Sequence, residues 1–117
     1  MPSVLLVYRS PAVVALAFDE IVKRWMLSPC EIDCVAGTAL PSARKSRARH
    51  PRFVVERMSL IVEIDVQLCS LMDDWEIPDW LRARTISAFP GCPLDEMFGS
   101  TDRIRRVRDL LEPEVRQ

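Results

Sequence analysis

Apolar residues recur along this chain at spacings of three and four. Over residues 11–26, Val14, Phe18, Ile21, Val22 and Trp25 fall on one face of a helix. Ser28, Pro29 and Glu31 then write a capping box: the serine hydroxyl accepts from an unpaired backbone amide, the glutamate accepts from the serine's own amide, and proline suits the first turn. The second helix carries Ile32 and Val35 inward and closes at Gly37, which can take the left-handed conformation of a tight turn. A third helix is expected over residues 40–49. A longer helix followed by two short ones joined through a glycine is the outline of a helix-turn-helix.

The longest periodic stretch is 53–72, roughly 30 Å of helix at the usual rise. Glu56, Ser59, Glu63, Gln67 and Ser70 form one polar stripe and nearly everything else is apolar, so this helix must be covered on several sides, with a subunit interface as one of the covers. Asp65 breaks the pattern, sharing a row with Met58, Ile61, Leu68 and Met72. It reads as the wet edge of the stripe, or else as a polar device in a dimer seam or a partner for an arginine of the C-terminal helix.

From residue 80 onward the signals are short and closely ordered. Pro78 reads as a stop, Trp80 and Leu81 as the start of an amphipathic turn with Arg82 and Arg84 in water, and Phe89, Pro90 and Gly91 as a reversal. Pro93 suits a helix start, with Asp95 and Glu96 at its positive end and Gly99 closing it. Ser100 or Thr101 caps a last helix in which Ile104, Val107, Leu110 and Leu111 recur, and Pro113 ends it.

Composition narrows this picture. At 117 residues the chain is one unit or two small parts sharing a core, and its net charge of -1 carries no bulk signature of nucleic acid or membrane. No apolar run reaches membrane-spanning length, and residues 1–10 lack a secretory pattern, so the expected compartment is the cytoplasm. Cys30, Cys34, Cys69 and Cys92 are accordingly expected to be reduced and mostly buried.

Local charge says more than the sum. Ser42, Arg44, Lys45, Arg47 and Arg49 lie on the expected third helix, with no acid until Glu56. That cluster suits phosphate contact, with Ser42 and Lys45 toward base edges and the arginines on the backbone. The bland reading is a solvated face or a loop touching an acidic partner. Trp25, Trp75 and Trp80 read as core or helix-docking anchors rather than a base-stacking platform. Zinc would need more than Cys30, Cys34 and His50, no nucleophile has an activating context, and Asp73, Asp74 and Asp79 read as caps. No catalytic residue, metal or cofactor is assigned, and the chain is read as a binding protein, not an enzyme.

Trp80, Leu81, Arg82, Phe89, Gly91, Pro93, Leu94, Asp95, Met97, Gly99, Val107, Arg108, Leu110 and Leu111 stand in an order that resembles the toxin-binding domain of the Xre/MbcA/ParS family of bacterial antitoxins. There the pattern is Trp-Leu-Arg, Phe-Gly-Gly, Pro-Leu-Asp, a hydrophobic pair, Gly, and a closing helix with Val-Arg and paired Leu. Glu56-Arg57-Met58-Ser59-Leu60 is similar to the family's Glu-Arg-Ile-Ser-Leu opening of the long helix, which extends the resemblance from about residue 15 onward. Arg84-Thr85 stand where the family has Pro-Asn, and Pro90 where it has Gly.

The resemblance implies an all-α fold: a helix-turn-helix-like part over residues 1–52, then the central helix and a small toxin-binding part over 53–117. It implies the antitoxin of a type II toxin-antitoxin system, acting on a RES-type toxin that consumes NAD or transfers its ADP-ribose, and occluding that enzyme's active site. Phe89, Gly91, Pro93 and Leu94 in the loop, with Arg105, Arg106 and Arg108 on the last helix, would form the toxin contact; each arginine also reads singly as part of a solvated face. Operator DNA is the second implied partner, and a homodimer the implied state. Two other readings remain open: a stand-alone helix-turn-helix regulator, and a pure interaction module whose DNA-binding part has decayed.

Overall fold

In the computed structural model, residues 10–38, 51–84 and 89–116 are described. The third helix expected over 40–49, and with it Ser42, Arg44, Lys45, Arg47 and Arg49, lies outside them. The described chain is all-α: α1 (Pro11–Trp25), α2 (Pro29–Ala36), α3 (Arg52–Leu71), a 3-10 turn (Asp74–Glu76), α4 (Ile77–Arg82), α5 (Pro93–Met97) and α6 (Thr101–Arg116). No strand occurs among the described residues.

α3 is the axis, and α1, α2 and α6 all pack on it. Val14, Phe18, Ile21 and Trp25 from α1 meet Ile61, Ile64 and Leu68 from α3 and Ile104, Val107 and Leu111 from α6 in one apolar core. Each such side chain gains about 1.5–3 kcal/mol over staying in water. The parts read as 1–52 and 53–117 therefore share one interior among the described residues.

Local chemistry sets the helix ends. α1 closes in a Schellman turn, Met26 N–H donating to Lys23 O and Leu27 N–H to Val22 O, with Met26 left-handed at φ 55. The capping box at Ser28 is formed: Glu31 N–H donates to Ser28 Oγ at 3.2 Å and Ser28 N–H to Glu31 Oε1 at 2.8 Å. That backbone hydrogen bond is the main reason the Glu31 carboxyl sits below the usual range. Gly37 takes φ 79, as a left-handed cap requires.

Several expectations are corrected. Pro78 does not stop the chain but occupies the first turn of α4, where its missing N–H is no loss. Gly99 has no positive φ; α5 ends at Met97 with Phe98 still right-handed. Pro113 does not end α6, which runs on to Arg116, since a proline removes one rung of the ladder without unwinding the rest. The cysteines are all free, but Cys30 and Cys69 are exposed and Cys34 is only half-buried, leaving Cys92 as the one buried thiol. Trp25 is fully buried and Trp80 packs against the core, whereas Trp75 stands in solvent.

Asp65 is not at a wet edge. It is 7% exposed, and both carboxylate oxygens are taken, by Arg24 Nη1 and Trp25 Nε1 of α1. Its arginine thus comes from the N-terminal side of the fold, not from α6. Burial works against the Arg24 charge, yet Asp65 outweighs it and holds that guanidinium above its ordinary pKa.

Candidate docking surface on the C-terminal helices

Arginines bonded to the carbonyls of helix ends position the C-terminal elements. Arg57 on α3 is 2% exposed and donates to four backbone carbonyls: Cys34 and Val35 at the end of α2, and Met97 and Gly99 at the end of α5, at 2.7–3.1 Å. Among the described residues no carboxylate bonds to it. Its counter-charge is the negative end of two helices, whose last carbonyls lack intrahelical partners. Burial pushes the Arg57 guanidinium down, and the fork of donors keeps it charged by replacing water.

Arg82 works similarly at the end of α1. It donates to Trp25 O and Met26 O at 3.1 and 3.0 Å and to Glu31 Oε1 at 3.2 Å. The Trp-Leu-Arg start of the motif thus helps to build the scaffold: Leu81 is fully buried, and Arg82, exposed to water as expected, also ties α4 to α1 and α2.

The reversal at residues 89–94 is scaffold as well. Phe89, Pro93 and Leu94, three residues of the expected contact surface, are buried, Phe89 and Leu94 within the chain's own apolar core. Pro90, beside them, is exposed. Gly91 is partly exposed, and a Cβ there would meet Asp95 Oδ2 at 2.7 Å, so glycine lets the carboxylate approach the loop. Asp95 also accepts from Cys92 N–H at 3.4 Å.

Between α5 and α6 lies a bidentate clamp. Arg103 donates from Nε and Nη2 to Glu96 at 3.2 and 3.0 Å, and these bonds hold the nearly buried Glu96 carboxyl below the usual range.

The α6 arginines divide. Arg105 is half-exposed and pairs with Asp102 and with Glu56 of α3; Arg108 pairs with Asp109 and, at 3.6 Å, with Glu63 of α3. Two residues of the α3 polar stripe, Glu56 and Glu63, thus flank the apolar contact between α3 and α6. Burial pushes the Glu63 carboxyl up despite Arg108. Arg106 points outward, within electrostatic reach of Glu96. It shares a face with exposed Asp102 and Leu110 at i, i+4 spacing, and Asp109 adjoins them. This ridge is the exposed part of the expected contact surface.

Sequence reasoning missed Arg57, Arg82 and the Arg103–Glu96 clamp. Their partners are backbone carbonyls or lie in other elements, and periodicity carries no signal of either. Compared with models of protein families, with curated proteins and with solved structures, the chain shows no match.

Proposed function

We propose that the chain is the antitoxin of a type II toxin-antitoxin pair, a protein-binding module that neutralises a RES-type toxin by laying α6 and the neighbouring loop over its active-site cleft. The motif residues support this reading, and the observation that carries it is the ridge of Arg106 and Leu110 on α6. Arginine is a residue type that anchors interfaces, and the exposed Leu110 beside it adds apolar area that a partner can bury. A planar guanidinium can also bond in pairs to the polar groups of a cleft built for a dinucleotide's phosphates.

Under this reading the buried motif residues act at one remove, holding α6 at its angle, while Arg105 and Arg108 supply the rim. The protein works in the cytoplasm as a homodimer. The Gly37 turn and the basic run after it support operator binding by the N-terminal part, salt-dependent because phosphates dominate such contacts.

The test is co-expression with the product of the adjacent gene. The native chain should co-purify with that protein and suppress its NAD consumption or ADP-ribosyl transfer. Arg106→Ala with Leu110→Ala should lose both while keeping the native circular dichroism. Arg105→Ala with Arg108→Ala should weaken inhibition less, because those side chains are already engaged with α3. Full inhibition by the Arg106/Leu110 variant rejects this ridge as the contact, and absence of any complex rejects the antitoxin reading.

A further inference from the structure

A second surface lies away from α5 and α6, around Trp75. This indole sits in the 3-10 turn and is 73% exposed, while Ile77 and Leu81 behind it are fully buried. Met26, in the left-handed turn after α1, is 71% exposed. Two open clefts meet at Trp75. One, of about 560 Å³, is walled by Lys23, Met26, Asp74 and Pro78; the other, of about 360 Å³, by Leu71, Met72, Asp79 and Trp80.

Charge decides what such a ledge can take. Residues 71–80 carry Asp73, Asp74, Glu76 and Asp79 and no base, and Glu20 adds a carboxylate from α1. The bases that face the clefts are occupied: Lys23 pairs with Glu20 at 3.7 Å, and Arg24 with Asp65 and Asp74 at 2.6 and 3.7 Å. Asp79 is exposed and carries no hydrogen bond or ion pair among the described residues. Phosphates of nucleic acid or anionic lipid are repelled by this field, and a cation is drawn in.

We propose that this ledge is a docking site for a basic segment of another protein. An arginine of that segment lies flat on the Trp75 indole, where the ring face attracts a guanidinium. A neighbouring base pairs with Asp79 or Asp73, and an apolar side chain enters beside Leu71 and Met72. The site is independent of the toxin contact, since neither α5 nor α6 lines it.

The probe is a short synthetic peptide of alternating arginine and leucine, titrated by calorimetry into the full chain. Saturable, salt-sensitive binding is expected, weakened about tenfold or more by Trp75→Ala, whose exposed side chain leaves the fold in place. Asp79→Lys, at a surface carboxylate, should weaken it comparably and serves if the tryptophan variant misfolds. The Arg106→Ala, Leu110→Ala chain should bind the peptide unchanged, which separates this site from the toxin reading. Equal binding by the Trp75 and Asp79 variants, equal binding of a glutamate-for-arginine peptide, or no saturable binding overturns the proposal. If the peptide fails while Trp75→Ala abolishes self-association of the chain, the ledge is a contact between copies, and the proposal falls.

Discussion

Trp25 Nε1 donates to Asp65 Oδ1 at 2.9 Å, joining α1 to α3 across 40 residues of chain. The other carboxylate oxygen takes Arg24 Nη1 at 2.6 Å, so one buried acid holds two consecutive residues of α1 by different donors. Trp25 is fully buried and Arg24 only partly, which places the ion pair at the edge of the core and the indole inside it.

Removing that acceptor should be costly. Asp65→Ala leaves a buried indole N–H without its acceptor and the partly buried Arg24 with only the longer Asp74 contact, an expected loss of about 1–3 kcal/mol. Asp65→Asn keeps an acceptor for Trp25 while losing the charge, and about half that loss is expected. Urea unfolding followed by tryptophan fluorescence measures both. Equal stability of the alanine variant and the native chain would show that the contact does not hold the helices together.

Arg57 should be harder to replace. Methionine fills the volume of its stem but leaves carbonyls of two helix ends without donors, at about 1–3 kcal/mol for each group that water cannot reach. Against a typical total of about 5–15 kcal/mol, Arg57→Met should leave the chain barely folded. Arg57→Lys presents one ammonium in place of a fork, so it should rescue only part of the loss. Hydrogen exchange adds a local readout: amides near the ends of α2 and α5 should open first in the lysine variant. Exchange raised evenly along the chain would argue against a clamp.

The contrast between Ser28 and Asp65 shows what could be read from the chain alone. The capping box at Ser28 is written within four residues, so its start of α2 was legible, as were the apolar faces of α1, α3 and α6. Gly37 was legible because a short helix needs a left-handed exit there. Asp65 was not, because its meaning depends on a tryptophan and an arginine that only tertiary packing brings near. The motif from Trp80 to Leu111 has a related limit: its order of residues does not tell that Phe89, Pro93 and Leu94 are buried while Arg106 and Leu110 stand exposed on α6. Trp75, an indole by type but isolated in a turn of acids, could not be told from a core residue by composition.

Two glutamates should give opposite pH signatures. The Glu96 carboxyl is lowered, so its contribution is present above the ordinary carboxylate pKa and lost as pH falls through the lowered folded value. The Glu63 carboxyl is raised by burial, so its contribution is full below the ordinary pKa and lost as pH rises through the raised folded value. At neutral pH, Glu96→Gln should therefore destabilise and Glu63→Gln stabilise. Both differences should shrink toward zero in acid, where the native side chains are protonated too. Urea midpoints across a pH series check this, and a Glu63→Gln chain less stable than native at neutral pH would mean that Arg108 outweighs burial.

Met26 offers the reverse case, a residue whose replacement should add stability. Its φ of 55 places a side chain with a Cβ in the left-handed region, at about 1–2 kcal/mol relative to the usual conformations. Glycine removes that strain but gives the unfolded chain more freedom, which offsets about 0.4–1 kcal/mol. Because the methionine side chain is 71% exposed, little packing is lost with it. Met26→Gly should thus gain about 0.5–1 kcal/mol in urea unfolding, and Met26→Val, β-branched at the same φ, should lose at least as much. The same side chain walls the cleft beside Trp75, so the glycine variant should bind the arginine-leucine peptide more weakly while unfolding later. A variant that gains stability and keeps full peptide affinity would separate the strained turn from the ledge and leave Trp75 and its carboxylates as the whole of the docking site.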